Sequence, residues 1–86
     1  MKRIYESIPL RSVLYLIGGL QEIEVRDYES KNAWLWRTDN YKVVFKGQVK
    51  DTHSKLSDKQ DRAKVYGIDI EDGVIRFSIC TKYEEI

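Results

Sequence analysis

The chain has 86 residues with 42% hydrophobic and 34% charged side chains, a composition that suits one small globular domain and excludes a disordered tail. Fifteen basic and fourteen acidic residues give a net charge of +1, whereas most nucleic-acid-binding proteins have a strong overall positive charge. A single cysteine excludes an internal disulfide and predicts a reducing, cytoplasmic setting, and no apolar run has the length of a signal-peptide core or a membrane span.

A short amphipathic helix is predicted over residues 8–17. Ser7 is a candidate N-cap because its hydroxyl can accept a hydrogen bond from an amide of the first turn, and Pro9 suits that turn. Gly18 is expected to end the helix in the left-handed conformation. The apolar side chains that repeat at the helical spacing, and that we expect to pack on a sheet, are Leu10, Val13, Leu14 and Ile17.

Three β-strands are predicted in the first half of the chain. Residues 21–28 alternate between apolar and charged side chains, with Ile23 and Val25 on the inner face. The segment A-W-L-W, residues 33–36, is predicted to be a second strand after the polar connection E-S-K-N. Because the links are short, these strands and the next are expected to form an antiparallel meander. The clearest alternation is in residues 41–49, between apolar Tyr41, Val43 and Phe45 and polar Lys42, Lys46 and Gln48.

The second half of the chain carries two local signals. Ser57 and Gln60 have the spacing of a capping box, which predicts a single helical turn over residues 58–63; a mobile loop is the alternative for this polar segment. Asp72-Gly73 between two β-rich runs predicts a hairpin whose tight turn needs positive φ. The strands of this hairpin are expected at residues 64–70 and 74–81.

Together these elements predict an α+β fold in a single domain of residues 1–86. One short N-terminal helix packs on a curved antiparallel sheet of about five strands, which the meander and the C-terminal hairpin form. The residues expected in the core include Leu14, Phe45, Ile68 and Phe77.

The sequence carries no set of residues with the pattern of a catalytic or metal site, so the protein is predicted not to be an enzyme and to need no cofactor. His53 and Cys80 are the one histidine and the one cysteine, and nothing in the sequence brings them together. Neither a Cys-His nucleophile nor a zinc site is therefore expected. Asp69, Glu71 and Asp72 lack the ligand spacing of a calcium loop, and we interpret them as solvated turn acids.

A cluster of aromatic and basic residues is the candidate binding site. Aromatics stacked beside cations are how a small sheet holds single-stranded nucleic acid, but the same aromatics can instead fill the core, with the lysines opposite Glu22 and Glu24. Two tryptophans that point the same way from one strand also favour a surface that anchors a protein partner. The candidate binding residues are Trp34, Trp36, Arg37, Tyr41, Lys42 and Lys46.

The segments G-Q-V-K-D and D-R-A-K-V-Y-G-I-D-I-E-D-G-V-I-R-F-S-I make the chain resemble small uncharacterised proteins of bacteriophages and integrative elements. The similar pieces are residues 10–17, 47–51 and 62–79, whereas residues 28–40 depart from the pattern. The resemblance implies a mobile-element setting, in which compact proteins block host defences by binding a nuclease or a signal nucleotide. It transfers no catalytic residues to this chain.

The sequence therefore predicts a non-enzymatic binding module, an inhibitor or sequestering protein that acts on a bacterial protein or a signal nucleotide. The alternative is a small β-rich nucleic-acid-binding domain that uses an edge formed by Lys42, Lys46 and Lys50. A second copy of the chain is a further alternative for the partner, and no membrane interaction is expected.

Overall fold

A computed structural model of the chain describes residues 8–28 and 41–81, which form four β-strands and three short α-helices. A 3-10 turn, Val49–Asp51, joins the second strand to the second helix. In chain order the elements are α1 (Leu10–Leu14), β1 (Glu22–Tyr28), β2 (Tyr41–Gln48), α2 (Thr52–Lys55), α3 (Asp58–Arg62), β3 (Val65–Glu71) and β4 (Val74–Ile79).

The strands form one mixed sheet with the spatial order β2-β1-β4-β3. β1 pairs antiparallel with β2 and parallel with β4, and β3 pairs antiparallel with β4. The α+β class is confirmed, but the purely antiparallel sheet is wrong because of the β1–β4 pair. The predicted meander is also wrong, because β1 has β2 on one side and β4 on the other. Residues 33–36 lie outside the described residues, and a fifth strand and the curvature of the sheet stay predictions.

Burial explains why β1 and β4 occupy the centre of the sheet. Ile23 and Val25 of β1 and Phe77 of β4 are fully buried, and a central strand is the position that removes most apolar surface from water. A parallel pair needs a long crossover, and here the connection includes β2, the helices α2 and α3, and β3. The predicted meander was based on short links between successive strands, and such links give no information about a pair of strands joined by a long crossover.

The hydrophobic core lies between one face of the sheet and the helical segments, and we call this the helix-side face. Full burial of one such apolar side chain stabilises the fold by about 1.5 to 3 kcal/mol. The opposite face carries mainly charged and polar side chains, and we call it the polar face. The core residues are Ile23, Val25, Phe45, Val65, Phe77 and Ile79 from the sheet and Leu10, Leu14, Val49, Leu56 and Ala63 from the helical segments.

α1 starts two residues later than predicted, at Leu10 instead of residue 8. The chain before it is extended, because Pro9 forms an antiparallel bridge with Lys64. The amide of Leu10 donates a hydrogen bond to the carbonyl of Ala63 at 2.8 Å. These contacts tie the start of α1 to the segment that leads into β3, so an amide at the start of the helix has a partner without a side-chain cap.

The end of α1 also differs from the prediction. Gly18 does not have a left-handed φ, so its predicted role as the helix stop is wrong. The helix instead ends at Tyr15, which is right-handed, and the next two amides donate to carbonyls three residues earlier at 3.0 and 3.1 Å. In this tight last turn, carbonyls at the end of α1 accept hydrogen bonds from the chain that follows, so a left-handed glycine is not needed to supply such bonds. The predicted N-cap, Ser7, lies outside the described residues.

Both local signals of the second half are confirmed. The amide of Gln60 donates to Ser57 Oγ at 3.2 Å and the amide of Ser57 donates to Gln60 Oε1 at 2.9 Å, so the capping box opens α3. Asp72 and Gly73 have φ values of 53° and 78°, as a two-residue turn between twisted strands requires. Both features depend only on neighbours in the chain.

The predicted core is confirmed at three positions and wrong at one. Leu14, Phe45 and Phe77 are buried, but Ile68 is 57% exposed. β3 is an edge strand, and the core cluster includes its first residue, Val65, but neither isoleucine further along it. Ile68 points to the correct face, but the helical segments do not cover it there.

Candidate functional site

The predicted binding residues fall into two groups. Trp34, Trp36 and Arg37 lie outside the described residues, so their role stays a prediction. Tyr41, Lys42 and Lys46 are on β2, which lies at one edge of the sheet that the described residues form. Tyr41 is half-buried and both lysines are exposed.

A β-bulge at Val44 separates the two lysines of β2. The register shifts by one residue between Val25 and Arg26 of β1, so that Lys46 lies opposite Glu24 and Lys42 lies opposite Asp27. Because neighbouring residues of β1 point to opposite faces, Lys46 is on the polar face and Lys42 is on the helix-side face. The bulge likewise places Tyr41 and Val43 on the polar face, and Phe45 in the core. The expectation that these three apolar side chains alternate on one face is therefore wrong.

The ring of Tyr41 belongs to a packed cluster on the polar face. The Arg26 guanidinium lies over this ring, 4.4 Å from its centroid, and Tyr28 packs against it with ring centroids 5.1 Å apart. Arg26 Nε donates to Glu24 Oε2 at 2.5 Å, and the Glu24 side chain is 11% exposed. Burial lowers the pKa of Arg26, but hydrogen bonds to Glu24 and Tyr28, together with the charge interactions with Glu24 and Tyr41, outweigh it and raise that pKa above its ordinary value. One side of the Tyr41 ring is thus occupied by a cation instead of being free for a base.

Charged side chains alternate in sign across the polar face. Reading across the sheet from β2 to β3, the strand register places Lys46, Glu24, Arg76 and Asp69 side by side. Arg76 also forms an ion pair with Glu71. Each cation of this row therefore has a carboxylate opposite it, which lowers the attraction of this face for phosphate.

No catalytic arrangement is visible among the described residues. His53 is exposed on α2, and Cys80 is fully buried just after β4. Within residues 8–28 and 41–81, no group of three or more histidine, cysteine, aspartate or glutamate side chains is placed to hold a metal ion. In the same part of the chain, no helix has the length and apolar character needed to cross a membrane.

The other edge of the sheet presents a surface that the sequence prediction missed. Ile68 and Ile70 of β3 are 57% and 68% exposed and point to the same face. Asp69 and Glu71 alternate with them and point to the polar face. We call residues 67–71 the β3 edge surface. The alternation was visible in the sequence; the lack of helical cover was not.

The backbone of the β3 edge surface also faces outward. In a hairpin with a two-residue turn, the pair next to the turn is hydrogen-bonded and the residues then alternate, so Ile68 and Ile70 direct their N–H and C=O groups away from β4. Asp69 Oδ1 accepts a hydrogen bond from the amide of Ile70 at 3.0 Å. Within the described residues no segment pairs with Ile68 on this side. Among the described residues, the edge thus combines exposed apolar side chains with outward backbone groups, of which the Ile70 amide is bonded to Asp69.

Comparisons of the chain with protein-family models, with curated protein sequences and with solved structures give no match. The similarity to phage and integrative-element proteins therefore stays a prediction. Among the described residues, the two edges of the sheet are the candidate binding surfaces, and the β3 edge surface is the more exposed and the more apolar of the two.

Proposed function

We propose that this protein is a non-enzymatic binding module whose partner is another protein, and that the partner docks on the β3 edge surface. The observation that carries the proposal is the exposure of Ile68 and Ile70 side by side on an edge strand. Natural edge strands are usually covered, bulged or charged, because an apolar edge pairs with other chains. An exposed pair at this position is therefore best explained by a surface that a partner covers.

The energetics favour a protein partner over a small polar ligand. Covering the exposed part of each isoleucine contributes about 1 to 2 kcal/mol, since complete burial of such a side chain is worth about 1.5 to 3 kcal/mol. Backbone hydrogen bonds along the edge add to this. A nucleotide phosphate would instead meet the carboxylates of Asp69 and Glu71, which repel it.

The biological setting that we propose is a mobile element, where the protein inhibits or sequesters a bacterial protein. The resemblance to small phage and integrative-element proteins motivates this setting. A signal nucleotide as the ligand and a nucleic-acid strand on β2 are the competing proposals. The second of these receives less support, because Lys42 and Lys46 point to opposite faces and the Tyr41 ring is packed against Arg26.

Affinity capture from a bacterial lysate with quantitative mass spectrometry tests the proposal. The test variant is Ile68→Thr with Ile70→Thr, which keeps β-branched side chains and removes apolar surface. The matched control is Val43→Thr, because Val43 is 47% exposed on the other edge of the same sheet. We expect the double variant to lower recovery of the partner by about tenfold or more, and the control to leave recovery unchanged.

Equal recovery with both variants would contradict docking on the β3 edge surface. Circular dichroism of all three proteins checks that the fold is intact. In parallel, labelled single-stranded DNA and RNA are titrated at rising salt, and mass measurement looks for a co-purified nucleotide. Binding of the labelled strands that weakens steeply with salt would favour the nucleic-acid alternative.

A further inference from the structure

The β3 edge surface offers a row of outward backbone groups beside its exposed side chains. From this arrangement we infer that the partner binds by adding an extended strand to β3, and that this strand alternates apolar side chains with lysine or arginine. The inference rests on the proposed function and specifies how the same surface is used.

Strand addition follows from the backbone geometry. The N–H and C=O of Ile68 point away from β4, and an added strand would continue the ladder on that side. The start of the same strand already accepts an extended segment, since the amide of Val65 donates to the carbonyl of Ile8 at 3.1 Å and Pro9 pairs antiparallel with Lys64. Within the described residues, the outward groups of Ile68 and Ile70 lie on the same edge as this pairing, beyond the bulge at Tyr66.

The charge pattern specifies the chemistry of the added strand. On the polar face the edge presents Asp69 and Glu71, whose side chains are 74% and 65% exposed, and on the helix-side face it presents Ile68 and Ile70. The hairpin of residues 65–79 contains three carboxylates and, in Arg76, one cation. A strand with side chains of period two would place cations against the carboxylates and apolar groups beside the isoleucines. A second copy of β3 would instead bring acid near acid.

Asp69 adds selectivity to this edge. Its carboxylate accepts the amide hydrogen bond of Ile70, so an arbitrary strand must displace that contact before it can pair at this position. A strand with a cation opposite Asp69 keeps the carboxylate partnered after displacement. This side chain therefore opposes acidic or neutral strands more than basic ones.

The experiment uses the full chain and three seven-residue peptides. The first is K-V-K-I-K-V-K, the second is the same peptide with every backbone amide N-methylated, and the third is E-V-E-I-E-V-E. Nuclear magnetic resonance follows the amides of residues 67–71 and the hydrogen exchange of the Ile68 amide. The methylated peptide keeps the side chains but cannot donate backbone hydrogen bonds, and the acidic peptide keeps the backbone but reverses the charge.

We expect the basic peptide to bind saturably, to slow exchange of the Ile68 amide by about tenfold or more, and to bind more weakly as salt rises. The methylated and acidic peptides are expected to bind at least about tenfold more weakly. Asp69→Asn, which keeps an oxygen for the Ile70 amide and removes the charge, is expected to reduce the preference for the basic over the acidic peptide.

Several results would overturn the inference. Equal binding of the methylated peptide would mean apolar docking without strand addition, and equal binding of the acidic peptide would remove the charge argument. Protection of the Ile68 amide before any peptide is added would mean that the edge is already occupied. The occupant would be a second copy of the chain if protection rises with protein concentration, and another segment of the same chain if it does not. No binding of the basic peptide also overturns it. In every case the lysate comparison of the Ile68 and Ile70 double variant with Val43→Thr still decides the proposed function.

Discussion

The two edges of the sheet differ in how they are protected. β2 is interrupted by the bulge at Val44 and places Lys42 and Lys46 on opposite faces, so it presents charge on both sides. β3 has its bulge near its start, at Tyr66, and beyond it exposes Ile68 and Ile70 on one face. Bulges and lysines are the usual means by which edge strands avoid pairing with other chains. Among the described residues, β2 thus exposes charged side chains on both faces, whereas β3 exposes two apolar side chains on one face, which is the contrast that the proposed docking surface depends on.

Truncating one apolar residue on each edge strand should give the largest difference in stability between the two edges. Phe45→Ala on β2 should lower the free energy of unfolding by about 3 to 5 kcal/mol, because this buried ring is part of the core. Ile68→Ala on β3 should cost about 1 kcal/mol or less, since more than half of that side chain is already in water. Urea denaturation of both variants measures the two values. Similar losses would mean that the β3 edge is part of the core and would remove the contrast between the edges.

Gly47, near the end of β2, should show the next largest effect. Its φ of +155° is rare for residues with a side chain, and an added Cβ would lie 3.4 Å from the Phe45 ring. Gly47→Ala should therefore cost about 2 to 3 kcal/mol. Gly18→Ala is the control, because Gly18 has no positive φ and no atom within 4 Å of an added Cβ, and its effect should stay within about 1 kcal/mol. Thermal melts that rank the two variants in the opposite order would contradict the strain assigned to β2.

Two arginines of the polar face extend the comparison. Arg26→Ala, beside β2, leaves the buried Glu24 carboxylate without its cation and should cost about 1 to 2 kcal/mol. Arg76→Ala, beside β3, removes partners from two exposed carboxylates and should cost less than about 1 kcal/mol. Adding Glu24→Gln should restore part of the loss in the Arg26→Ala variant only.

The contribution of Arg26 to stability should not vary across neutral pH. Because its pKa is raised in the folded protein, this contribution is fully present below the pKa of an unfolded arginine and is lost only as the pH rises through the raised value.

The smallest effect on stability is expected where the effect on binding is largest. The double variant Ile68→Thr with Ile70→Thr should change the free energy of unfolding by about 1 kcal/mol or less, because both side chains are mostly exposed. Its partner recovery should nevertheless fall, as described above. Denaturation curves and capture from the same protein preparation separate the two quantities. A large loss of stability would show that the isoleucines serve the fold instead of a partner.

Local features of the fold were predictable from the sequence, because neighbours in the chain determine them. The capping box of Ser57 and Gln60 and the turn at Asp72-Gly73 need only short spacings, and both were confirmed. The pairing of β1 with β4 was not predictable in this way. It joins strands far apart in the chain and depends on which strands bury most apolar surface.

The candidate site was less accessible to prediction than the fold. The bulge at Val44 has no marker in the sequence, yet it decides which lysine shares a face with Tyr41. The alternation of Ile68, Asp69 and Ile70 was visible, but the exposure of the isoleucines depends on where the helical segments stop covering the sheet. The packing of the whole domain determines where this cover ends, and no single segment of the sequence specifies it.

Hydrogen exchange of single amides in the isolated protein tests most directly whether the β3 edge is open. Ile68 directs its amide away from β4, whereas Phe77 lies on the central strand β4, paired with both β1 and β3. We predict that the Ile68 amide exchanges within about tenfold of the unprotected rate, and that the Phe77 amide exchanges at least about a thousandfold more slowly. Equally slow exchange at both positions would contradict an open edge and, with it, a partner that docks there.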